Sequence, residues 1–169
     1  MNLLNIDKQR YRQHLNKVIV GFIASFLLLA LVFGQLLISI FAEPGGDNFW
    51  LNLSGVAIAF IIVASVINHF KHHPFMTEIL YVWQLKQQIN YIYRKLKPIE
   101  AQAFTQSNIN ALICLSFYYQ ACRQLYLLDD NTITLSSLTT AENKLKLFID
   151  DHNLTIDSKD YQQQLLTAF

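Results

Sequence analysis

The chain has 169 residues, a net charge of +1 and 53% hydrophobic residues, an apolar share above the roughly 45–50% of soluble domains. Near-neutral charge argues against a dedicated nucleic-acid binder, which carries a strong basic excess. Five Gly and three Pro leave little material for glycine-rich phosphate loops or a turn-rich β fold.

Residues 1–17 are a polar, basic lead-in, with Lys8, Arg10, Arg12, His14 and Lys17 against one acid, Asp7. The pattern predicts a short surface helix over 8–16, capped by Asp7. Two apolar segments follow, 18–42 and 51–68, neither holding a charge. A hydrocarbon core about 30 Å thick takes roughly 20 apolar residues in helix. Within lipid every backbone polar group must bond inside the segment. The pair therefore reads as a transmembrane hairpin over 18–70, with spans at about 18–42 and 50–70. A signal peptide does not fit, because the first run is too long, no small-residue cleavage site closes it, and a second span follows.

Basic residues set orientation. Four Lys/Arg precede the first span, and Lys71, Lys86, Arg94, Lys95 and Lys97 follow the second. The intervening turn, Glu43-Pro44-Gly45-Gly46-Asp47-Asn48, carries only acids. Both termini are expected in the cytoplasm and the turn outside. Phe49 and Trp50 fall at the outer interface, Phe70 and Phe75 at the inner one. Gly21 with Ser25, Ala30 with Gly34, and Gly55 with Ala59 place small residues one turn apart, a spacing that lets helices approach closely. Packing within one hairpin is the plain use of these faces, and oligomerisation the sharper one. Gln35, the only strongly polar side chain well inside the first span, is expected to hydrogen-bond across the hairpin near 54–57, with a polar pore ring as the alternative.

After Pro74 the pattern turns amphipathic. Val82, Leu85, Ile89, Ile92, Leu96 and Ile99 recur at spacings of three and four, a heptad stripe that serves either as core or as an interface. Pro98 predicts a break near Lys97 and a turn over 98–104. A second helix is expected over about 108–128, capped by Ser107 or Asn108. It is too often interrupted by polar residues to be a third span. Cys114 and Cys122, two helical turns apart, are too distant for a disulfide and read as small core residues of a reducing compartment. Asp129-Asp130-Asn131-Thr132 ends the helix with two acids that oppose its dipole, so cations are expected nearby, from Arg94, Lys95, Lys97 or a partner. A third helix over about 137–152 opens on Thr139-x-x-Glu142, the form of a capping box. A short last helix, about 158–167, follows Asp157.

Signals for chemistry are few. His69 and His73 are one helical turn apart, the spacing of a two-histidine metal site, with His72 beside them. No third ligand follows, and anchoring at the interface is the expected role. No metal or cofactor is assigned. Asp129-Asp130-Asn131 lacks the spacing and closing Glu of a calcium loop. Tyr91-Ile92-Tyr93-Arg94-Lys95 mixes aromatic and basic residues as single-strand binders do, but a solvated face or lipid headgroups account for so short a run. No nucleophile–base pair, P-loop, dinucleotide fingerprint or HExxH occurs, and no enzyme is expected.

Several blocks carry a family resemblance. They are Asn5-Ile6-Asp7-Lys8 with Tyr11-Arg12, Asn48-Phe49 with Leu51-Asn52-Leu53, and Pro74-Phe75-Met76-Thr77-Glu78 leading into Tyr81-Val82-Trp83. Gly55-Val56, Leu85-Lys86, Tyr93-Arg94-Lys95-Leu96, Phe117-Tyr118-Tyr119, Gln124-Leu125-Tyr126 and Leu128-Asp129-Asp130-Asn131-Thr132 complete the set. The chain resembles an uncharacterised family of small bacterial membrane proteins, domain of unknown function 3087. That resemblance implies a bacterial inner-membrane protein and brings no activity, ligand or site residue.

The expected fold is all-α, a transmembrane hairpin followed by a small cytoplasmic helical bundle over 74–169. The expected role is a non-enzymatic, membrane-tethered interaction or accessory subunit. Its contact candidates are Trp83, Leu85, Ile89, Ile92, Arg94, Lys95, Asp129 and Asp130. Gly21, Ser25, Gly34, Gln35, Gly55 and Ala59 are the candidates for packing in the membrane. Expected partners are the bilayer, a second copy or another membrane protein, with no nucleic acid. A small oligomeric channel or transport accessory, and a sensor of anionic lipid using Arg94, Lys95 and Lys97, are the alternatives.

Overall fold

The computed structural model describes residues 2–131 and 133–169. Among them no strand occurs, and the chain is all-helical: two long apolar helices at the N-terminal end, followed by a helical bundle. The helices are α1 (Lys8–Phe41), α2 (Phe49–Phe70), α3 (Thr77–Tyr93), α4 (Leu96–Gln106), α5 (Ile109–Leu128) and α6 (Leu135–Asp151), with 3₁₀ turns at Pro74–Met76, Ser158–Asp160 and Gln163–Ala168. They divide into two compact units. Gln9–Leu80 forms one, and the residues up to Lys8 together with Tyr81–Phe169 form the other, so the division runs through α3.

In the first unit the lead-in is not a separate surface helix. It is the start of α1, one uninterrupted helix of 34 residues. Between Lys8 and Val18 there is no Gly or Pro to break the hydrogen-bond ladder, and Lys, Arg, Gln and Leu are all good helix formers. At 1.5 Å per residue α1 is about 51 Å long, so its polar first ten residues extend beyond what an apolar slab about 30 Å thick requires. Both α1 and α2 are long and apolar enough to cross a membrane. Their apolar side chains are largely uncovered, as at Val20, Leu28, Leu31, Phe60 and Ile61, whereas the core helix of a water-soluble bundle buries such residues.

The turn between them is made by Gly45, at φ +83°, and by Asp47, whose carboxylate accepts the Phe49 N–H at 2.9 Å. The two helices meet at Gly34 and Gly55, both buried. A Cβ placed on Gly55 would lie 2.5 Å from the Gly34 nitrogen and 2.7 Å from its Cα. Ala59 and Val63, one and two turns further along α2, are buried as well. The small-residue faces at Gly34 and at Gly55 and Ala59 thus pack the hairpin itself. Gln35 does not bridge the helices: it is exposed and makes no hydrogen bond among the described residues. It is one residue, 100° of helix, away from the contact face that Gly34 occupies.

The second unit is organised on α5, against which α4, α6 and the two C-terminal 3₁₀ turns pack. Its apolar run from Ala111 to Leu115, with Phe117, Ala121 and Cys122, is almost wholly buried, as a central bundle helix requires. Asn108 caps it, its side-chain oxygen accepting from the Asn110 and Ala111 N–H groups at 3.0 and 3.3 Å. Four boundaries differ from the sequence expectation. Helix α3 stops at Tyr93, before Pro98, and 98–104 is helix rather than turn. Pro98 falls in the first turn of α4, where its missing N–H has no partner to lose. Helix α6 begins at Leu135, and Thr139 and Glu142 do not form a capping box; both hold Arg123 instead. The last segment is two 3₁₀ turns rather than one α-helix, the first capped by Asp157. It docks through Tyr161, buried and stacked on Phe117 with ring centroids 4.1 Å apart, and Lys95 donates to the Leu166 carbonyl at 2.7 Å.

The glycine contact gives a paired prediction. Gly55→Ala is expected to destabilise the hairpin by about 1–3 kcal/mol through overpacking, while Gly21→Ala, whose Cβ meets nothing within 4 Å, leaves it unchanged. Thermal unfolding in detergent checks this, and equal melting temperatures for the two variants would remove the close contact.

Candidate functional site

Helix α3 carries most of the contact candidates, and the fold sorts them by face. Leu85 and Ile92 are fully buried, with Val82 and Ile99, while Ile89 and Leu96 are half-buried. The heptad stripe is therefore largely the bundle's own core. Trp83 lies outside it, 57% exposed, and shares its face with Asn90 and Arg94 at positions i+7 and i+11. Tyr91 and Tyr93 stand exposed to either side. Lys95 is withdrawn from this face by its bond to the Leu166 carbonyl. What this face presents is aromatic, with the Arg94 guanidinium just past the end of α3.

The acids at the end of α5 are neutralised inside the unit, and by other cations than those expected. Asp129 pairs with Lys86 at 3.0 Å, and Asp130 with Lys8. Lys86 lies one turn beyond Val82 on α3, and Lys8 stands at the start of α1; Arg94, Lys95 and Lys97 take no part in either pair. Asp130 takes the left-handed conformation at φ 55°, and the Asn131 N–H returns to the Tyr126 carbonyl, so the segment is a helix-ending turn. Thr132, the last residue of that motif, lies outside the described residues. Arg123 is held by both Glu142 oxygens and by Thr139, and hydrogen bonding to Glu142 raises its pKa further.

A closed ring of hydrogen bonds, absent from the sequence reading, holds the segment before α1. The Leu4 N–H donates to the Tyr81 hydroxyl at 2.9 Å, that hydroxyl donates to Gln124 Oε1 at 2.9 Å, and Gln124 Nε2 donates to the Leu4 carbonyl at 2.5 Å. Burial raises the Tyr81 pKa, which keeps the phenol a donor. No local pattern signals a ring closed over sequence separations of 77 and 120 residues.

In the hairpin unit the histidines separate. His73 Nδ1 accepts the Phe75 N–H at 3.2 Å and caps the 3₁₀ turn, and His69 meets Phe70 edge-on. Among the described residues no three His, Cys, Asp or Glu side chains could hold a metal ion. A second cluster escaped the sequence reading. Arg10 Nε lies 2.9 Å from Glu78 Oε1, and His14, stacked on Phe75 at 4.0 Å, brings Nδ1 to 3.4 Å from the other oxygen. Its signal was present: Arg10 and His14 are one turn apart, and Glu78 is the only acid between Asp47 and Glu100.

The bundle's intrinsic nucleophiles are held in their neutral forms. Burial pushes the Cys114 and Cys122 thiols up to about 11 and raises the phenols of Tyr118, Tyr119 and Tyr161. A family model described as a protein of unknown function (DUF3087) matches residues 1–166. No curated protein and no solved structure matches the chain.

Because the thiolate is the reactive form, both cysteines are expected to stay unlabelled by a thiol-specific disulfide reagent at pH 8 and to react together on unfolding. Their native pKa lies above the ordinary value of 9, so the unfolded chain releases these protons first. This contribution to stability is whole below pH 9 and is lost as pH rises from 9 through about 11. Alkaline unfolding of the Cys114→Ala/Cys122→Ala variant is expected to show a smaller loss over that window. Free-thiol reactivity at pH 8 in the native state would contradict the burial.

Proposed function

The chain belongs to the DUF3087 family, and from that premise we propose that it is a non-enzymatic, membrane-tethered interaction subunit of the bacterial inner membrane. Helices α1 and α2 cross the bilayer, and the bundle meets a partner protein in the cytoplasm through the exposed face of α3. One observation carries the reading. The segment before α1 and the bundle after α2 belong to one compact unit, which supports placing both flanks of the hairpin in one compartment. The basic residues on those flanks, against the acids of the turn, favour the cytoplasm as that compartment. The α3 face supports the interaction role, because Trp, Tyr and Arg are the residues that anchor protein interfaces.

A second reading, a self-assembled oligomer with channel or transport-accessory character, is favoured by Gln35. An exposed amide without a partner among the described residues is costly in hydrocarbon, and pairing between copies would relieve it.

Purification of the tagged chain from its native membrane in mild detergent, with mass spectrometry, separates the two. The expected outcome is a second protein at near-equal stoichiometry, whose recovery falls about tenfold or more with Trp83→Ala. Trp83 is 57% exposed, so the fold should tolerate that change. Recovery of the chain alone as an oligomer that dissociates with Gln35→Leu would favour the second reading. A lone monomer would sink both.

A further inference from the structure

Between α1 and α2, within the hairpin unit, lies a cleft of about 470 Å³, in the range of roughly 300–1,000 Å³ typical of small-molecule sites. Gly21 and Phe22 of α1 face Val63 and Ile67 of α2 across it, and Phe75 and Met76 line it further along. Gly21 keeps the space open, since a Cβ there would meet nothing within 4 Å. Ser25, also in the wall, has its hydroxyl spent on the Gly21 carbonyl at 2.5 Å. The walls thus offer an occupant hydrocarbon and, with the Ser25 proton spent, no hydroxyl donor. Whatever part of a ligand enters is apolar.

The polar edge consists of Lys17 and His73, both exposed. Among the described residues neither Lys17 nor Lys71 pairs with a carboxylate. His73 Nδ1 is engaged as an acceptor from Phe75 N–H, so the neutral ring carries its proton on Nε2 and donates from there. An apolar slot edged by an unpaired ammonium and an imidazole donor fits an amphiphile with an acidic head. The hairpin helices of a second copy fit less well, because α1 and α2 contain no Asp or Glu to meet Lys17.

We propose that this cleft seats an acyl chain of one anionic phospholipid, with the headgroup phosphate at Lys17 and His73. The site rests on the membrane reading above, and differs from a headgroup sensor on Arg94, Lys95 and Lys97 in taking the chain as well as the charge. Native mass spectrometry of the delipidated full chain in detergent tests it, using phosphatidylglycerol and phosphatidylcholine of identical acyl chains. The expected result is one phosphatidylglycerol retained per chain in preference to phosphatidylcholine. Lys17→Gln should lower phosphatidylglycerol retention about fivefold, the worth of one basic group near an anionic surface. Gly21→Phe, which fills the slot, should lower retention of both lipids. Equal retention of the two lipids by the unaltered chain overturns the proposal, as does a Gly21→Phe variant that binds normally. A lipid-free dimer that Gly21→Phe dissociates overturns it too, by giving the cleft to a second copy. Resistance to alkaline carbonate extraction is read on the same variants. Extraction would sink the membrane reading and the site with it, whereas resistant membranes without lipid preference sink the site alone.

Discussion

The hydrogen-bonded ring of Leu4, Tyr81 and Gln124 ties the segment before α1 into the bundle unit. Each bond is worth only about 0.5–1.5 kcal/mol net, but together they bring three distant stretches to one point. The segment before α1 becomes part of the bundle, and the hairpin becomes, in sequence, an insertion between two parts of one unit. The Lys8–Asp130 pair acts in the same direction. Those contacts hold the residues before α1 and the residues after α2 within one compact unit. Burial, by keeping the Tyr81 phenol neutral, preserves the donor on which the ring depends.

Charge is distributed by the same logic. Inside the bundle unit ion pairs join Asp129 with Lys86, Asp130 with Lys8, and Glu142 with Arg123. Partly exposed pairs of this kind stabilise little, and their main effect is to remove net charge from the faces they occupy. Lys17, Lys71, Arg94 and Lys97 have no carboxylate partner among the described residues. Lys17 and Lys71 stand directly beside the apolar segments in sequence, whereas Arg94 and Lys97, like Lys144, Lys146 and Lys159, belong to the bundle unit. Unspent positive charge beside an apolar segment is the arrangement that an anionic leaflet attracts.

The sequence made the architecture legible where the signal was periodic or local. Two uncharged apolar runs, the acidic turn and the buried run of α5 could be read from composition and spacing, because burial and lipid both demand continuous apolar surface. Asn108 and Asp157 were readable as caps because capping acts over two or three residues. Boundaries failed where a residue tolerates two roles. Pro98 breaks a helix interior but suits a first turn, and Thr139-x-x-Glu142 fits a capping box but, one turn into α6, fits a guanidinium instead. Long-range choices were not legible at all. That Asp129 would take Lys86 rather than Lys97, or that Tyr81 would meet Leu4, depends on packing that no window of sequence contains.

The small residues of the hairpin show how one spacing serves two ends. Gly34 and Gly55 touch backbone to backbone and fix the crossing point. Gly21 lies thirteen residues away along α1, about 20 Å at 1.5 Å per residue. At that end the two helices leave a cleft, and the absence of a side chain at Gly21 leaves it unfilled. Substituted by a large residue, that position would close the slot. As glycine, it leaves an opening at the end where Lys17 stands, so that within one hairpin a glycine pair closes the helices together and a third glycine leaves room between them.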